Sequence, residues 1–366
     1  MEKSVVAFAP GRVELLGNHT DYNEGLALAA AIDRGVTIRA EKIDAERIEI
    51  SSETNQRQVK MSLNNLHRLE EESWANYAIG ILKLLRSTGF VIEGLRLRVD
   101  SNLPLGSGLS SSAAFEIATA VAALALFGFS MEPMALAQLC QKAENEFVGV
   151  RCGLLDQASS VFGKEDEIIL LDFRAINAQT VPLSASVALL LVDPGVPHEL
   201  TGGEYNERRR QCHVAAAALG VKALRDVTSE ALLSSSLDPL IRDRALHITG
   251  ENERVLAGVA ALRSGRMREF GQLMFQSHES SKRRFQNSTA FLDVLVEIAG
   301  TIPGVLGARL TGGGFGGSTI WLVEEDRAEE ILSEVSEAYR HKTGASCKTL
   351  ITRASQGARL LGTTSV

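Results

Sequence analysis

The sequence predicts a mixed α and β protein of two domains. The chain has 366 residues, enough for two domains of ordinary size, and its 45% apolar and 23% charged content is that of a folded protein. Alternating apolar and polar residues at 47–51 and 95–99 predict strands, whereas stretches with helical periodicity occupy 74–87, 113–127 and 133–147. Helices and strands thus succeed one another along the chain, as in mixed folds.

A change of pattern near the middle of the chain predicts the domain boundary. Two strand-like segments, 168–173 and 187–192, precede a mainly helical region from 204 to 295. The C-terminal part then alternates as strand, glycine loop, strand, helix and strand, at 305–310, 311–317, 318–323, 326–341 and 347–352. We therefore expect an N-terminal domain over 1–190 and a C-terminal domain over 191–366.

Charge and hydropathy exclude two classes of partner. The formal net charge is -7, and the densest basic run, 208–210, is most simply a solvated helix face, so we expect no nucleic-acid partner. The longest apolar run, 117–129, is too short to span a bilayer, and 1–10 lacks the apolar core of a signal peptide. We therefore expect no membrane partner and a cytoplasmic location.

A glycine-serine turn that leads into an alanine-rich helix, residues 103–118, predicts a phosphate site. Gly106 and Gly108 allow the backbone to turn tightly and approach a ligand, while serines 110–112 offer hydroxyls and free N–H groups where the helix begins. A helix start has unpaired donors and partial positive charge, so an anion fits there. The alternative is a capped, buried helix without a ligand.

Two other phosphate turns fit this segment less well. A Walker A loop needs a lysine at the helix start, but serines follow Gly108 and the next lysine is Lys142. The dinucleotide fingerprint is closer, because Gly106, Gly108 and Ser111 approximate its spacing after the strand-like segment 94–99. That fingerprint requires a second strand ending in an acid, whereas this chain continues into further helix.

The N-terminal segment 9–25 is crowded with polar side chains between three glycines. These side chains are Arg12, Asn18, His19, Asp21, Tyr22 and Asn23. Such density in a short turn suits a ligand with several hydroxyls, and a site built around a hydroxyl strongly rejects ligands that lack it. The alternative is a polar loop with an Asx turn at Asp21 or Asn23.

An aspartate in an apolar setting is a second candidate for chemistry. Asp156 lies in the segment 152–157, is preceded by apolar residues, and follows the acidic helix end that contains Glu144. It is either a general base or a helix cap, and the motif alone favours neither.

A second glycine-rich segment, 310–318, is the third candidate. Five of its six positions 312–317 are glycine. This indicates close approach of the backbone to another group, although a tight hairpin between two strands is a sufficient explanation.

These motifs together resemble those of a known family. The N-terminal segment, 104–114 and 311–317 look like the three signature motifs of the GHMP small-molecule kinases, in the same order and at the same spacing. Within that superfamily, 11–25 most resembles the galactokinases. The likeness covers nearly the whole chain, since it extends to 74–77, 152–157, 204–212, 251–254 and 277–278.

The resemblance implies a fold and an activity. The fold class is α+β, with an N-terminal domain related to the second domain of ribosomal protein S5 and a ferredoxin-like C-terminal domain. The implied activity is an ATP-dependent sugar kinase that phosphorylates the anomeric C1 hydroxyl of galactose. The implied cofactors are ATP and Mg²⁺, the partners are the sugar and ATP alone, and the expected state is a monomer.

The resemblance also implies the site residues. Asp156 matches the catalytic aspartate and Arg12 its partnering arginine. The positions implied to contact the sugar are Asn18, His19, Asp21, Gly153 and Tyr205. The positions implied to bind ATP are Trp74 and Tyr77 near the adenine, and Leu105, Gly106, Ser107, Gly108, Leu109, Ser110, Ser111 and Ser112 around the phosphates. Ser112 and Glu144 are implied to hold Mg²⁺.

Glu14 and Asn18 depart from the galactokinase pattern. That pattern has asparagine where this chain has Glu14, and glutamate where this chain has Asn18. The family glutamate contacts the region of the C6 hydroxyl of the sugar, whereas an amide is neutral and can donate as well as accept. Because an amide would repel a C6 carboxylate less, a uronic acid such as galacturonate is an alternative substrate.

The segment 281–284, Ser-Lys-Arg-Arg, is a second departure, since the family commonly has Leu-Arg-Asp-Asp there. It indicates an altered surface or domain contact, and the alternative is added positive potential near an anionic substrate. A function of another class, a catalytically weak galactose sensor, is disfavoured because Arg12, Glu144 and Asp156 are all present.

Overall fold

The computed structural model describes residues 3–54, 56–104, 106–196 and 203–365. Within them the chain forms two β-sheets with helices packed against them, which confirms the predicted two-domain fold of mixed α and β content. Leu105, one of the predicted ATP-binding residues, lies outside the described residues. In the ranges given above, no helix has the length and apolar character needed to cross a membrane.

The first sheet is built on two long antiparallel strands, β1 (Lys3–Leu16) and β2 (Leu26–Lys42). Its other strands are β3 (Arg47–Ser52), β4 (Arg57–Ser62), β5 (Leu95–Ser101), β6 (Glu167–Asp172), β7 (Asn177–Pro182) and, at the end of the chain, β12 (Arg359–Ser365). Among the described residues the order is β12-β1-β2-β5-β3-β4, with β6 paired to β2 and β7 to β6. The first seven residues of β2 are buried without alternation, because both faces of the strand are covered.

The second sheet has an antiparallel order, β11-β8-β10-β9. Its strands are β8 (Val187–Asp193), β9 (Val305–Leu310), β10 (Thr319–Glu324) and β11 (Lys348–Thr352). Trp321 of β10 is fully buried in a separate apolar cluster between this sheet and two helices. The predicted C-terminal order of strand, glycine loop, strand, helix and strand is therefore confirmed.

Ten helices connect and cover these sheets in the described ranges. They are α1 (Asn76–Ser87), α2 (Ser111–Leu126), α3 (Pro133–Lys142), α4 (Leu155–Phe162), α5 (Gly203–Leu219), α6 (Ser229–Leu233), α7 (Pro239–Arg263), α8 (Met267–Ser280), α9 (Ala290–Ala299) and α10 (Ala328–Thr343). The alanine-rich α2 packs closely on β1 and β2, because small side chains let a helix approach a sheet. α7 starts where the Asp238 carboxylate accepts from the N–H groups of Leu240 and Ile241, an N-cap followed by proline.

The domain boundary at residue 190 stays a prediction. The sheet membership of two strands, β8 and β12, is relevant to where the boundary lies. β8 contains residue 190 and belongs entirely to the second sheet. β12 returns to the first sheet, where it pairs with β1. The chain therefore crosses between the two sheets before 187 and again after 352.

Candidate active site

A cleft of about 290 Å³ brings three of the predicted motifs together. One wall is the glycine-serine turn, residues 106–112, and the opposite wall is the glycine-rich loop, residues 313–317. Arg12, Asp156 and Tyr205 complete the lining. Residues about 300 positions apart in the sequence, such as Arg12 and Gly313, thus line one cleft.

Asp156 lies in this cleft in the first turn of α4, and both of its carboxylate oxygens are held by side chains. Arg12 Nε donates to Asp156 Oδ1 at 2.8 Å, and Arg12 Nη2 lies 2.8 Å from the same oxygen. Ser110 Oγ donates to Asp156 Oδ2 at 2.5 Å. The Arg12 side chain is 6% exposed and that of Asp156 26% exposed, so the carboxylate is fixed by a buried cation yet reachable from the cleft.

The glycine-serine turn presents the start of α2 to the cleft. Gly106, Gly108 and Ser110 all have positive φ, at 73°, 72° and 57°, which bends the chain sharply before the helix. Arg12 Nη1 donates to the carbonyl of Gly108 at 2.8 Å, and so fixes the turn to the same guanidinium that holds Asp156. The first N–H groups of a 16-residue helix have no helical partner and carry partial positive charge, so this wall suits phosphate.

The glycine-rich loop closes the cleft from the side of the second sheet. Ser318 Oγ, just after the loop, donates to the carbonyl of Ser107 at 3.0 Å, which joins the two walls. Phe315 has φ 61°, an uncommon conformation for a bulky residue, and its N–H donates to the carbonyl of Asn287 at 2.6 Å. The Arg208 guanidinium lies 5.4 Å from the centre of the Phe315 ring.

A buried carboxylate cluster lies beside the turn. Gln157 Nε2 donates to Glu144 Oε2 at 2.7 Å and to Glu116 Oε2 at 3.1 Å, and all three side chains are buried. Burial and the nearby Asp156 raise the pKa of Glu144, while a hydrogen bond with Ser112 opposes this rise. The two predicted metal ligands, Ser112 and Glu144, are therefore in contact.

The loop between β1 and β2, residues 17–25, is named the His19 loop here. His19 is buried, and burial lowers its pKa to about 4, so the ring is neutral at pH 7. Its Nε2 donates to the carbonyl of Gly313 at 2.9 Å, which leaves Nδ1 to accept from the Tyr22 hydroxyl at 2.7 Å. The His19 ring also packs against Tyr205, with 4.9 Å between ring centres. Both nitrogens are thus used inside the protein.

Asp21 of the His19 loop packs against Gly153 in the turn before α4. A Cβ atom at Gly153 would lie 1.6 Å from Asp21 Oδ2 and 2.3 Å from its Cγ, so only glycine leaves room for this carboxylate. Burial raises the pKa of Asp21 to about 7, and the charges of Glu14 and Asp156 add to the rise. The predicted sugar-contacting residues Asp21 and Gly153 therefore adjoin the segment that carries Asp156.

Asn18 lies in a buried polar network and not on the wall of the cleft. Its Nδ2 donates to the carbonyl of Gly312 at 2.8 Å and to Glu14 Oε1 at 3.1 Å, and its Oδ1 accepts from Asn287 Nδ2 at 2.8 Å. Glu14 Oε1 in turn pairs with Arg309 Nη1 at 2.9 Å, with both side chains almost completely buried. The two positions that depart from the family pattern are therefore in direct contact.

Trp74 and Tyr77, predicted to lie near adenine, are outside the lining of the cleft: Trp74 is in the short turn just before α1, and Tyr77 is in the first turn of α1. The Trp74 ring stacks on Phe115 of α2, with 6.3 Å between centres and 14° between planes. Burial raises the pKa of Tyr77 to about 12, and the charges of Glu144 and Glu116 contribute. Both aromatic residues are thus close to α2, next to the turn.

Three segments of the chain match known families. Residues 1–42 match a galactokinase galactose-binding signature, 76–164 the N-terminal domain of GHMP kinases, and 259–341 the C-terminal domain of GHMP kinases. The galactokinase of Thermotoga neapolitana is 40% identical over 336 residues, which cover 91% of this chain and 93% of that protein. The chain belongs to the galactokinase family of the GHMP kinases. It is an ATP-dependent sugar kinase, a phosphotransferase.

Further relatives support the same family and fold. The galactokinase of Roseiflexus sp. is 38% identical and covers 96% of this kinase and 92% of its own chain. The crystal structure of Lactococcus lactis galactokinase complexed with galactose has a TM-score of 0.93 at 31% identity, over 97% of this chain and 95% of that one. A mevalonate kinase with a TM-score of 0.69 and 20% identity shares the fold alone. The predicted GHMP kinase fold is confirmed.

The basic segment 281–284 lies on a wide turn after α8, and Lys282 and Arg283 are paired with carboxylates outside the cleft. Lys282 Nζ is 3.3 Å from Asp293 Oδ2 and 3.7 Å from Glu297 Oε1, and Arg283 pairs with Glu279. None of these residues lines the cleft. These contacts favour an altered surface over added positive potential near the substrate.

The sequence did not indicate every contact of the site. Ser110 was predicted to lie around the ATP phosphates, and its hydroxyl also bonds to Asp156. Arg309 and Glu251, which are fully buried and bond to the β1 end and the His19 loop, were not predicted to have any function. For Arg309 the available signal was its place in a predicted apolar strand just before the second glycine-rich segment, since a charge inside such a strand is buried only when it is paired.

We expect Gly153→Ala in this kinase to weaken sugar binding strongly. The new methyl group would occupy the position of the Asp21 carboxylate and displace it, so the KM for the sugar should rise about 100-fold while the KM for ATP changes little. Steady-state kinetics with each substrate varied in turn would measure this. Gly203→Ala is the matched control, because no atom of the described residues lies within 4 Å of its Cβ position. An unchanged KM for the sugar would mean that Asp21 does not contact it.

Proposed function

We propose that this kinase transfers the γ-phosphoryl group of ATP to the C1 hydroxyl of galactose, which gives galactose 1-phosphate. The observation that carries the proposal is Asp156, a carboxylate fixed between Arg12 and Ser110 at the edge of a phosphate-binding turn. The galactokinases named above support galactose, and the structure of one of them is a complex with galactose.

Asp156 is proposed to be the general base. A carboxylate has about four acceptor positions, and Arg12 and Ser110 use three of them, so one remains for the sugar hydroxyl. In the reaction the C1 oxygen attacks the γ-phosphorus as its proton passes to Asp156, and ADP leaves. Phosphoryl transfer needs positioning more than covalent catalysis, and the rigid Arg12 contacts supply positioning for both the base and the turn.

The phosphates of ATP are proposed to lie along residues 106–112, where N–H groups at the start of α2 would donate to them. The adenine is proposed to lie near Trp74 and Tyr77. Ser112 and Glu144 fit Mg²⁺, because this ion takes oxygen ligands and is usually held by one or two protein groups together with phosphates. When bound, Mg²⁺ neutralises phosphate charge in the transition state. The monomeric state stays a prediction.

Galactose is favoured over galacturonate by the contacts of Asn18. Its amide nitrogen already donates to the Glu14 carboxylate at 3.1 Å and to the carbonyl of Gly312 at 2.8 Å, and Glu14 is paired with Arg309. A C6 carboxylate would therefore lose its hydration without finding a free donor here, whereas a CH₂OH group has less hydration to lose. Lys282 and Arg283 offer no compensation, since they pair with other carboxylates.

An ADP-release assay over a panel of sugars tests the proposal. We expect galactose to give the highest kcat/KM, and galacturonate to be at least about 100-fold lower because its carboxylate would be desolvated without a free donor. N-acetylgalactosamine, glucose, arabinose and glucuronate complete the panel. Faster turnover of galacturonate than of galactose would refute the substrate assignment, and a product phosphorylated at another carbon, detected by ³¹P NMR, would refute the assignment to C1.

A further inference from the structure

Glu251 of α7 is completely buried, and it bonds to the backbone of the His19 loop and not to the cleft. Its Oε2 accepts from the N–H of Gly17 at 2.8 Å and from the N–H of Asn18 at 3.0 Å. These donors lie just after β1, where the sheet no longer pairs them. A carboxylate that receives two converging N–H groups makes strong, directional hydrogen bonds.

The Glu251 carboxylate is itself held from two other directions. Ser277 Oγ of α8 donates to Oε2 at 3.0 Å, and Arg254 Nε donates to Oε1 at 2.7 Å. Burial alone would raise the pKa of Glu251, but Arg254, His247 and Arg309 lower it, and the net direction is down. The group is thus an anion whose two oxygens both have fixed partners.

Two neighbouring side chains of α7 bond to the same loop. Asn252 Oδ1 accepts at 2.8 Å from the N–H of Leu26, the first residue of β2, which directly follows the His19 loop. One turn before Glu251, His247 is buried and neutral, since burial lowers its pKa to about 3, and its Nε2 donates to the carbonyl of Asn18 at 3.3 Å. Helix α7 therefore holds the loop at both ends.

The His19 loop needs such support because its backbone is strained. Gly17, His19 and Glu24 have φ values of 95°, 60° and 54°, and the last two are not glycine. Conformations of this kind cost about 1–3 kcal/mol each and persist only when the surrounding structure fixes them. The loop also carries Asp21, whose carboxylate must lie against Gly153.

We propose that Glu251 and Asn252 are positioning residues for sugar binding, which act by fixing the two ends of the His19 loop without contact with either substrate. This inference rests on the proposed function, because it assumes that the loop binds the sugar. Its consequence is selective: loss of either group should disturb the sugar subsite and leave the phosphate turn, which α7 does not hold, unchanged.

Kinetics of Glu251→Gln and Asn252→Ala test the proposal. The first change puts an amide with one acceptor oxygen in place of the carboxylate and leaves Arg254 without its anion, and the second leaves the N–H of Leu26 unpaired. We expect the KM for galactose to rise about tenfold or more in both variants, with the KM for ATP within about twofold of the wild type. Asn252→Asp keeps the acceptor for Leu26 and should restore sugar binding relative to Asn252→Ala.

Glu253→Gln is the matched control, because Glu253 is an exposed carboxylate on the same helix, two residues from Glu251. It should leave both KM values unchanged. Equal rises in both KM values, or a lower Tm with unchanged kinetics, would overturn the inference and indicate a general structural role. If Glu251→Gln does not fold, Asn252→Ala decides alone. Failure of the proposed function would be seen separately, because the wild-type protein would then not phosphorylate galactose. In that case the KM values of the variants and the wild type would be compared with the sugar that the wild type accepts.

Discussion

Asp156→Asn is expected to lower kcat about 10³-fold or more while ATP still binds. The amide cannot take the proton from the C1 hydroxyl, and general base catalysis by a positioned side chain contributes about 10²–10⁴-fold. It also removes the anion that Arg12 holds, at 2.8 Å, beside the phosphate turn. The rate would be measured by coupled ADP release, and ATP affinity by calorimetry, which should change by less than about threefold.

Ser110→Ala distinguishes the effect of losing the Asp156 carboxylate from the effect of losing one of its hydrogen bonds. The variant removes the hydroxyl that donates to Asp156 Oδ2 at 2.5 Å but keeps the carboxylate and Arg12. Loss of one such hydrogen bond should lower kcat by about tenfold, far less than Asp156→Asn. A near-normal rate for Asp156→Asn would refute the assignment of the base, and equal losses in both variants would place the main effect in the geometry of the turn.

The ambiguity over Asp156 shows what a local motif can and cannot decide. Its segment was compatible with a base or a helix cap, because both put an aspartate in the first turn of a helix. The contact that favours a base is with Arg12, 144 residues earlier, and the residues around Asp156 do not indicate a partner so distant in the sequence. Only the family resemblance linked the two residues in advance.

The N-terminal segment shows a similar limit. Its polar density predicted a short turn over 9–25, yet Arg12 and Glu14 lie within the long strand β1 and are buried. Charged residues are unexpected inside a strand that is covered on both faces. They are tolerated because their partners, Asp156 and Arg309, come from distant parts of the chain, the second from 295 residues later.

The helices were easier to predict, with one exception at the site. α2 matches its predicted range to within two residues at the start, because an alanine-rich periodic segment is a strong signal. The helix predicted over 133–147 instead changes at Lys142 to a wide turn, Ala143–Val148. The carbonyl of Glu144 accepts from the N–H groups of Gly149 and Val150 in that turn. Such π-type turns are frequent at functional sites and have no simple sequence pattern.

The exchange of Glu14 and Asn18 has a physical explanation in the buried pair with Arg309. Arg309 is fully buried, and its charge needs one nearby anion. Asn18 and Glu14 are in hydrogen-bond contact, so a carboxylate at either position lies in the same polar network. We therefore expect this network to constrain the number of charges rather than the position of the glutamate.

A double-mutant cycle on these two positions is therefore expected to show strong compensation. Glu14→Asn leaves Arg309 buried without its anion, and should lower the free energy of unfolding by about 3–5 kcal/mol. Asn18→Glu places a second carboxylate beside Glu14 and should also destabilise the protein. The exchanged variant, with both changes, again has one anion and one amide, so we expect it to recover about 2 kcal/mol or more relative to the sum of the single effects. Urea denaturation of the four proteins would measure the coupling.

The exposed Asp44 provides the control, since Asp44→Asn removes a carboxylate from the surface and should change the free energy of unfolding by less than about 0.5 kcal/mol. Additive losses in the exchanged variant would mean that Arg309 is specific for the carboxylate at position 14 and cannot pair with one at position 18. Coupling would instead show that the carboxylate that pairs with Arg309 can be placed either at position 14 in β1 or at position 18 in the His19 loop. Sugar specificity measured on the same four proteins would then separate the effect of charge from the effect of position, because the exchanged variant restores the family residues at both sites.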